Sequence, residues 1–340
     1  MRQRVPLLIV NYTLDKEHPL LGHQIGLVES IGRKLRPIIV ISTNSVLPFQ
    51  SPSVTSFGVP ASRHRLWKIA LFLKIYILII LRYRPKNILF HMNPTYAVLG
   101  SWVGRLFGAQ IFLWYTHKSL TLSTRVAVAA CNKVLTASLD SVNITSKKIV
   151  ATGHHIDTSR LATFPYTLDF KSAVVLGRIS PSKNIHEILK CVYSLKDKWH
   201  LSNLDLIGPI SDHEYHSALI NFCLEFNIKN VSFQGALPQS SWTTLICKYG
   251  LALHASQGSL DKSPLELTWM GIPVVSSNQS FINIFGSWSD DGFKSLNDEV
   301  QALFAKNPTE LLVELDRRRV IVSKDHSMSA WTSTFLRLLN

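Results

Sequence analysis

The sequence predicts an α/β protein of two domains, each with a parallel β-sheet covered by helices. Short β-branched segments alternate with helical patterns, and this alternation is typical of strand–helix–strand units. The alternation forms two series, separated by an irregular segment at 156–170 that contains Pro165. A length of 340 residues also favours roughly two domains. We therefore expect an N-terminal domain at 1–160 and a second domain at 161–322.

The first series opens with a short apolar run that ends at Asn11. Because a secretion signal needs a longer apolar core, we predict a buried strand at 6–10 instead. Further strands are predicted at 37–42, 87–91, 111–115 and 133–136. Helices are predicted at 22–35, 64–82, 94–107 and near 120–130.

The second series continues the same alternation to residue 276. Its predicted strands are 173–176, 203–207, 231–234, 250–254 and 273–276, and its predicted helices are 184–197, 212–226, 239–248 and 263–270. Near the end of the chain, Met328, Trp331 and Phe335 recur at helical spacing. We expect the segment 323–340 to form a C-terminal helix that packs back on the N-terminal domain.

Composition excludes several classes of protein. With 46% hydrophobic and 17% charged residues, the chain is not intrinsically disordered. Its four cysteines show neither the paired spacing of a zinc site nor that of a disulfide framework, so we expect no bound metal. A reducing, cytoplasmic compartment is the expectation that follows.

Charge is distributed unevenly along the chain. Residues 1–160 hold 20 Lys and Arg against 5 Asp and Glu, whereas 161–340 hold 16 against 17. No carboxylate residue occurs between Glu29 and Asp140, a stretch that contains 14 Lys and Arg. A merely solvated basic surface explains a positive total but not so long a stretch. An anionic partner of the N-terminal domain is favoured: a phospholipid surface, a lipid-linked phosphate or nucleic acid.

The helix predicted at 64–82 lies within this basic stretch. Its longest uninterrupted apolar run, 75–81, is too short for a membrane span, which needs about 20 apolar residues. A helix in the domain core and a helix in the membrane interface both fit the pattern, and one helix can do both with different faces. Six basic residues in or beside it are placed to reach lipid headgroups: Arg63, Arg65, Lys68, Lys74, Arg82 and Arg84.

Two loops of the second domain carry the clearest chemical signal. Each follows a short β-branched strand and precedes a helix, so each belongs at the carboxyl end of a parallel sheet, where ligands bind. The first loop supplies Arg178 and Lys183, and the second supplies Lys262 and Glu266. Cations and helix amides suit a phosphate, and a carboxylate suits a ribose diol. The pair of loops therefore indicates a nucleotide-sugar site.

Several motifs, in order along the chain, carry a resemblance to a known family. They are Gly22-His23-Gln24, His91-Met-Asn93-Pro94, Leu113-Trp-Tyr-Thr-His117, Gly153-His-His-Ile-Asp157, Gly177-Arg178-Ile-Ser-Pro-Ser-Lys183, Gly235, and Ser263-Pro-Leu265-Glu266 followed by Met270-Gly-Ile-Pro-Val-Val275. Together they resemble glycosyltransferase family 4. The resemblance implies the GT-B fold, with two Rossmann-like parallel-sheet domains that face a central cleft.

The resemblance also implies roles for individual residues. Arg178 and Lys183 match the cations that neutralise the donor diphosphate, and Glu266 matches the glutamate that holds the nucleotide ribose. In the N-terminal domain, Gly22 matches a glycine near the donor phosphate, and His117 a histidine beside the transferred sugar. The remaining donor-binding candidates are Gly177, Gly235, Asp261, Lys262, Ser263 and Leu265, and the candidates on the acceptor side are His23, His91 and Asn93.

Two motif positions depart from the family pattern. His155 stands where the family usually has a glycine before Ile156. The family has a glutamate eight residues before Glu266, at the transferred sugar, where this chain has Gly258. The segment from Gly258 to Lys262 resembles a bacterial subgroup with Ser-Leu-Asp-Lys in this loop. Asp261, Lys262 or backbone amides are candidates to replace the missing carboxylate. The identity of the donor sugar and the level of activity stay open at this point.

The implied function is a retaining, metal-independent glycosyltransferase that needs no cofactor beyond a UDP- or GDP-linked sugar. Its acceptor would be a saccharide or a lipid-linked saccharide for cell-surface polysaccharide or glycolipid synthesis. We expect it in the cytoplasm, peripheral on the inner face of the plasma membrane. The alternatives are a sugar-nucleotide epimerase of the same fold and a noncatalytic accessory protein. Nucleic-acid binding is disfavoured because basic and aromatic residues form no interleaved motif.

Overall fold

The computed structural model describes residues 6–15, 24–44, 50–61, 64–166 and 169–339. These residues form two compact units: unit 1, Met1–Asp157 with Met328–Asn340, and unit 2, Thr158–Ser327. The divisions lie at 157/158 and 327/328, whereas the sequence predicted 160/161 and 322/323. A π-helical turn, Val322–His326, continues the preceding helix, and the chain leaves unit 2 only after Ser327, later than its sequence pattern indicates.

Unit 1 contains one sheet, and its strands pair in parallel except at the β3–β4 edge. Its strand order is β3-β4-β2-β1-β5-β6-β7-β8. The strands are β1 (Leu7–Asn11), β2 (Ile38–Ser42), β3 (Gln50–Ser51), β4 (Val54–Gly58), β5 (Asn87–His91), β6 (Gln110–Trp114), β7 (Lys133–Thr136) and β8 (Ile149–Ala151). The helices are α1 (Gln24–Lys34), α2 (Arg65–Tyr83), α3 (Pro94–Leu106), α4 (Leu122–Ala130) and α12 (Met328–Leu338).

Helices cover both faces of this sheet, which explains why its central strands are apolar on both sides. On one face, α2 buries Phe72, Tyr76 and Ile80 in a core that it shares with α3 and α4. On the other, Phe335 of α12 packs edge-on against Phe112. The α12 helix also lies beside α1, where the hydroxyls of Ser30 and Thr332 are 3.1 Å apart.

Unit 2 contains a parallel five-stranded sheet in the order β11-β10-β9-β12-β13. The strands are β9 (Ser172–Leu176), β10 (Asn203–Ile207), β11 (Val231–Gly235), β12 (Leu251–His254) and β13 (Val274–Ser276). The helices are α5 (Ile185–Ser194), α6 (His213–Glu225), α7 (Gln239–Leu245), α8 (Lys262–Met270), α9 (Gln279–Phe285), α10 (Leu296–Ala305) and α11 (Pro308–Ile321).

The predicted α/β class with two parallel-sheet domains is confirmed. The strands predicted at 87–91, 133–136 and 203–207 have those bounds in the structure. The helix predicted at 239–248 is wrong in its last turn, because α7 ends at Leu245 and a 3₁₀ turn, Ile246–Lys248, follows. The sequence patterns do not predict β3, β4, β8, or the helices α9 to α11. No helix among the residues described here is long and apolar enough to cross a membrane.

A buried histidine makes the stability of unit 2 depend on pH. His326 is 3% exposed, and burial lowers its pKa to about 4 although the nearby Asp325 acts in the opposite direction. The unfolded chain takes up this proton near pH 6.5 and the folded chain only near pH 4. This contribution to stability is therefore lost as the pH falls from about 6.5 towards 4.

We predict that lowering the pH from 7.5 to 5 costs unit 2 about 2 kcal/mol of unfolding free energy through His326 alone. Urea denaturation of the wild type and of His326→Gln at both pH values measures it. The variant should lose less stability than the wild type over this pH range. An identical pH dependence in both proteins would contradict the assignment.

Candidate functional site

The strand order of unit 2 reverses between β9 and β12. Strands β9, β10 and β11 follow one another in one direction, whereas β12 and β13 lie on the other side of β9. The loops after β9 and β12 therefore leave the sheet in opposite directions and open a crevice at its carboxyl edge. Open α/β sheets bind ligands at this point. The loop after β9 contains Arg178 and Lys183, and the loop after β12 contains Gly258 and Asp261.

Backbone hydrogen bonds hold the first loop against the strand beside it. The amide of Gly177 donates to Ile207 O and that of Ile179 to Pro209 O, both at 2.9 Å. Arg178 lies between these two bonded residues, and its side chain is exposed. It forms no ion pair with any residue that the structure describes. Its guanidinium is therefore available to an anion at the edge of the sheet.

Gly208 allows this close approach. A Cβ atom at position 208 would lie 1.9 Å from Gly177 O, closer than any real contact. The Gly208 amide in turn donates to Gly235 O at 2.8 Å. Gly235 has a φ of +70°, a backbone conformation that glycine adopts without strain. Gly177 and Gly235, which the sequence predicted as donor-binding residues, thus lie in a chain of close backbone contacts across three strands.

Lys183 and Asp261 connect the two loops directly. The Lys183 Nζ atom lies 2.6 Å from Asp261 Oδ2, and both side chains are largely buried. The amide of Gln257 also donates to Ser182 O at 3.2 Å, which ties the loop backbones together. The sequence predicted both residues of the ion pair as donor-binding candidates but did not predict that they bind each other.

Asp261 also accepts a hydrogen bond from a histidine that the sequence did not single out. His254 Nε2 lies 2.9 Å from Asp261 Oδ2, and His254 Nδ1 lies 2.8 Å from Ser276 Oγ. Burial alone would raise the pKa of Asp261, but the bond to His254 and the charge of Lys183 hold it well below its usual range. Asp261 therefore stays ionised and fixes the Lys183 ammonium at the edge of the sheet.

Asn278 orders the rest of the second loop. Its amide nitrogen, Nδ2, donates to the carbonyl oxygens of Ser256 and Gly258, at 2.8 and 3.1 Å. Its Oδ1 atom caps the first turn of α9 by accepting from Phe281 N. Gly258, which stands where the family has a glutamate, is thus held through its backbone. The sequence does contain a signal for Asn278, because asparagine is a preferred N-cap residue and this one stands two residues after a buried strand.

The first turns of α8 contain the remaining predicted donor-binding residues. Asp261 precedes the helix, but its carboxylate does not cap the helix amides. Glu266 is 8% exposed, and its Oε1 lies 3.8 Å from Lys262 Nζ. Ser263 lies beside Gly177, with its Oγ 3.9 Å from where a Cβ of that glycine would stand. Leu265 is fully buried, so only its backbone can contact a ligand.

Unit 1 has its own strand-order reversal, between β1 and β5. His91 ends β5 and is buried, with its Nε2 atom 3.3 Å from His155 Nε2. Asn93 follows in the same loop, and its buried Nδ2 atom has no hydrogen-bond partner among the described residues. His117 follows the neighbouring strand β6, is exposed, and packs edge-on to Tyr115. Gly22 and His23 lie outside the described residues.

His91, Asn93 and His117 therefore share the carboxyl edge of the sheet of unit 1.

A metal site would need a group of three or more His, Cys, Asp or Glu side chains. No such group with suitable geometry occurs in the described part of the chain. Cys131 and Cys191 are buried and Cys247 is exposed, and all of them are free thiols.

Comparison with solved structures shows which fold the two units form. The chain is similar to HepE of Anabaena in a complex with UDP and glucose, with a TM-score of 0.74, 13% identity and 99% of both chains covered. It is also similar to sucrose-phosphate synthase of Thermosynechococcus elongatus, with a TM-score of 0.76, 13% identity and 98% of both chains covered. The lipopolysaccharide outer core galactosyltransferase WaaB matches with a TM-score of 0.68, 11% identity and 98% of both chains covered.

No protein-family model matches the sequence, and no curated protein does. The TM-scores over nearly the whole chain establish the fold, whereas identities of 11–13% leave the family undetermined.

The Gly208 contact yields a prediction for the site. Gly208→Ala should cost unit 2 about 1–3 kcal/mol of unfolding free energy, because its Cβ would push Gly177 and the loop with Arg178 away from β10. Gly258→Ala is the matched control, since a Cβ there meets only Ser256 Oγ at 3.5 Å. Urea denaturation of the three proteins measures the difference. Equal stabilities would show that Gly208 and Gly177 are not closely packed.

The two parallel-sheet units, with their candidate residues at the carboxyl edges of both sheets, have the GT-B fold of these glycosyltransferases.

Proposed function

We propose that this chain is a glycosyltransferase that transfers a sugar from a nucleotide-sugar donor to a saccharide or lipid-linked acceptor. One observation carries the proposal: at the strand-order reversal of unit 2, an exposed Arg178, a fixed Lys183 and a buried Glu266 occupy one edge of the sheet. Two cations suit a diphosphate and a carboxylate suits a ribose diol. The structural similarity to HepE in complex with UDP and glucose supports this reading.

The donor is proposed to be a UDP- or GDP-linked sugar. Its diphosphate would be bound by Arg178, by Lys183 and by backbone amides at the N-terminus of α8, where the helix dipole favours an anion. Glu266 would accept hydrogen bonds from the ribose hydroxyls. The same groups would stabilise the charge that develops on the leaving diphosphate, and in this proposal they do so without a metal ion.

Asp261 has a different role in this proposal from the one that the family pattern implies. A glutamate eight residues before Glu266 would contact the transferred sugar, and Gly258 has no side chain with which to do so. The carboxylate of Asp261 is already bonded to Lys183 and His254. We infer that Asp261 positions the diphosphate-binding lysine, and that Lys262 or backbone amides of this loop contact the sugar.

His117 is proposed to contact a hydroxyl of the transferred sugar and to stabilise charge in the transition state of a retaining transfer. Its exposure and its place at the carboxyl edge of the sheet of unit 1 support a role in contact with substrate. His91 and Asn93 are candidates for the acceptor side of the same edge. Membership of glycosyltransferase family 4 is part of this proposal, on the strength of the motifs.

The acceptor is proposed to be a saccharide, free or lipid-linked, in cell-surface polysaccharide or glycolipid synthesis. The basic N-terminal half supports an acceptor that lies at an anionic membrane surface, reached from the cytoplasmic side. The protein would then be a peripheral membrane enzyme.

Substitution of the two cations tests the donor site. Arg178→Ala and Lys183→Met should each weaken the binding of UDP- or GDP-sugars about 10- to 100-fold, because each removes a charge-assisted hydrogen bond to phosphate. Lys229→Ala, at an exposed lysine of the same unit, is the matched control. Isothermal titration calorimetry measures the affinities.

The products of turnover distinguish the alternatives. A glycosyltransferase leaves the nucleoside diphosphate and a glycosylated acceptor, whereas an epimerase converts the donor without any acceptor. A noncatalytic accessory protein would bind the donor and convert nothing. If both cation variants bind the donor as tightly as the wild type does, Arg178 and Lys183 are not part of the donor site.

A further inference from the structure

Three helices of unit 1 expose large apolar side chains to solvent. Leu66 and Leu106 are 83% and 84% exposed, and Trp102 is 69% exposed. Isolated exposed apolar residues are normal on protein surfaces, but a contiguous group marks an interaction site. The exposed residues are Leu66, Trp67, Ile77, Leu78 and Leu81 of α2, Trp102 and Leu106 of α3, and Leu122 and Val126 of α4.

These residues follow the helical period on the outward side of each helix. On α2 the exposed positions 67, 70, 74, 77, 78 and 81 alternate with the buried Phe72, Tyr76 and Ile80. On α3 the sheet side is made of small residues, among them Gly100 and Gly104, so its large side chains point outward. An amphipathic helix normally presents mainly charged and polar residues to water, whereas these three expose large apolar side chains as well as cations.

The outward sides of α2, α3 and α4 form one surface. All three helices pack on the same face of the sheet, since residues of each share a core cluster with Ile88, Phe90 and Ile111. Within that layer α3 contacts both α2 and α4. We call this surface, made by the exposed residues of the three helices, the three-helix face.

The charges on the three-helix face have one sign. Its exposed charged side chains are cationic, and the sequence has no carboxylate between Glu29 and Asp140. They are Arg65, Lys74, Arg82, Arg105 and Arg125. Unit 2 offers a contrast, because the exposed Leu224 and Val313 stand on helices that also carry Glu225 and Glu314.

We propose that the three-helix face docks on an anionic phospholipid bilayer, with α2 lying in the plane of the membrane. Apolar side chains would enter the boundary between headgroups and acyl chains, and the arginines and lysines would contact lipid phosphates. Tryptophan is enriched at this depth because its ring is apolar and its N–H is polar. The proposal deepens the proposed function by naming the surface that brings the enzyme to a lipid-linked acceptor.

The single sign of charge favours a bilayer over a second copy of this chain. A symmetric dimer through this face would bring the same cations of two subunits together, without a carboxylate on either side to pair with them. An anionic membrane supplies many phosphates at once, and each nearby basic residue adds to its attraction.

Vesicle binding by the full chain tests this. We expect the protein to sediment with vesicles of phosphatidylcholine and phosphatidylglycerol, to bind phosphatidylcholine alone much more weakly, and to dissociate as NaCl is raised. The double variant Trp67→Ser, Trp102→Ser should partition about tenfold or more weakly, because two large apolar side chains no longer enter the interface. The matched control is Leu224→Ser with Val313→Ser in unit 2, which should bind as the wild type does.

The depth to which the tryptophan side chains enter the bilayer is measured on the same samples. Lipids brominated near the headgroup should quench tryptophan fluorescence of the wild type and quench the double variant less. Unchanged partitioning of the double variant would overturn the proposal. So would a wild-type dimer that the double variant makes monomeric without any binding to vesicles. The proposed donor site lies in unit 2. If the protein fails to bind vesicles but still binds UDP- or GDP-sugars, membrane docking by the three-helix face is refuted and the proposed function is not.

Discussion

The parallel pairing of β9 between β10 and β12 is the constraint on which the candidate site depends. It places two loops, separated by many residues in sequence, at one edge of one sheet. Lys183 and Asp261 meet there across 78 positions of the chain. Their ion pair is a consequence of the strand order, because each residue follows a strand adjacent to the other's.

Backbone hydrogen bonds also fix the first loop beside β10. The amides of Gly177 and Ile179 donate to Ile207, the last residue of β10, and to Pro209, and Gly208 provides the space for that contact. Arg178 is therefore held on a fixed backbone while its guanidinium remains exposed. A site that binds a polyanion by charge gains from such pre-organisation, since less conformational entropy is lost on binding.

Much of the fold was predictable, because parallel strands buried on both faces are continuous apolar runs. The elements that were missed lack this signal. Strand β8 has only three residues, and none of them is buried. In α11, Arg318 is 1% exposed, stacks 3.7 Å from the centre of the Trp288 ring and bonds to Glu314. The buried side of this helix therefore contains a charged residue, and the sequence lacks the apolar spacing that predicts a helix.

The site was predictable only in part, for a similar reason. Arg178, Lys183 and Glu266 were predicted from motifs, and their place at the edge of the sheet follows from their fixed offsets from predicted strands. The bonds of His254 and Asn278 depend on how two loops fold against each other, which no local pattern encodes. The role of Asp261 changed most: the sequence suggested a contact to sugar, and the structure shows a carboxylate bonded to a lysine and a histidine.

Calorimetric titration of the wild type with a nucleoside monophosphate and the matching diphosphate tests whether unit 2 binds a nucleoside diphosphate. UMP with UDP, and GMP with GDP, cover both proposed bases. We expect the diphosphate of one pair to bind about tenfold or more tightly than its monophosphate, because the second phosphate adds charge-assisted hydrogen bonds. Equal affinity within both pairs, or no binding of either diphosphate, would contradict it.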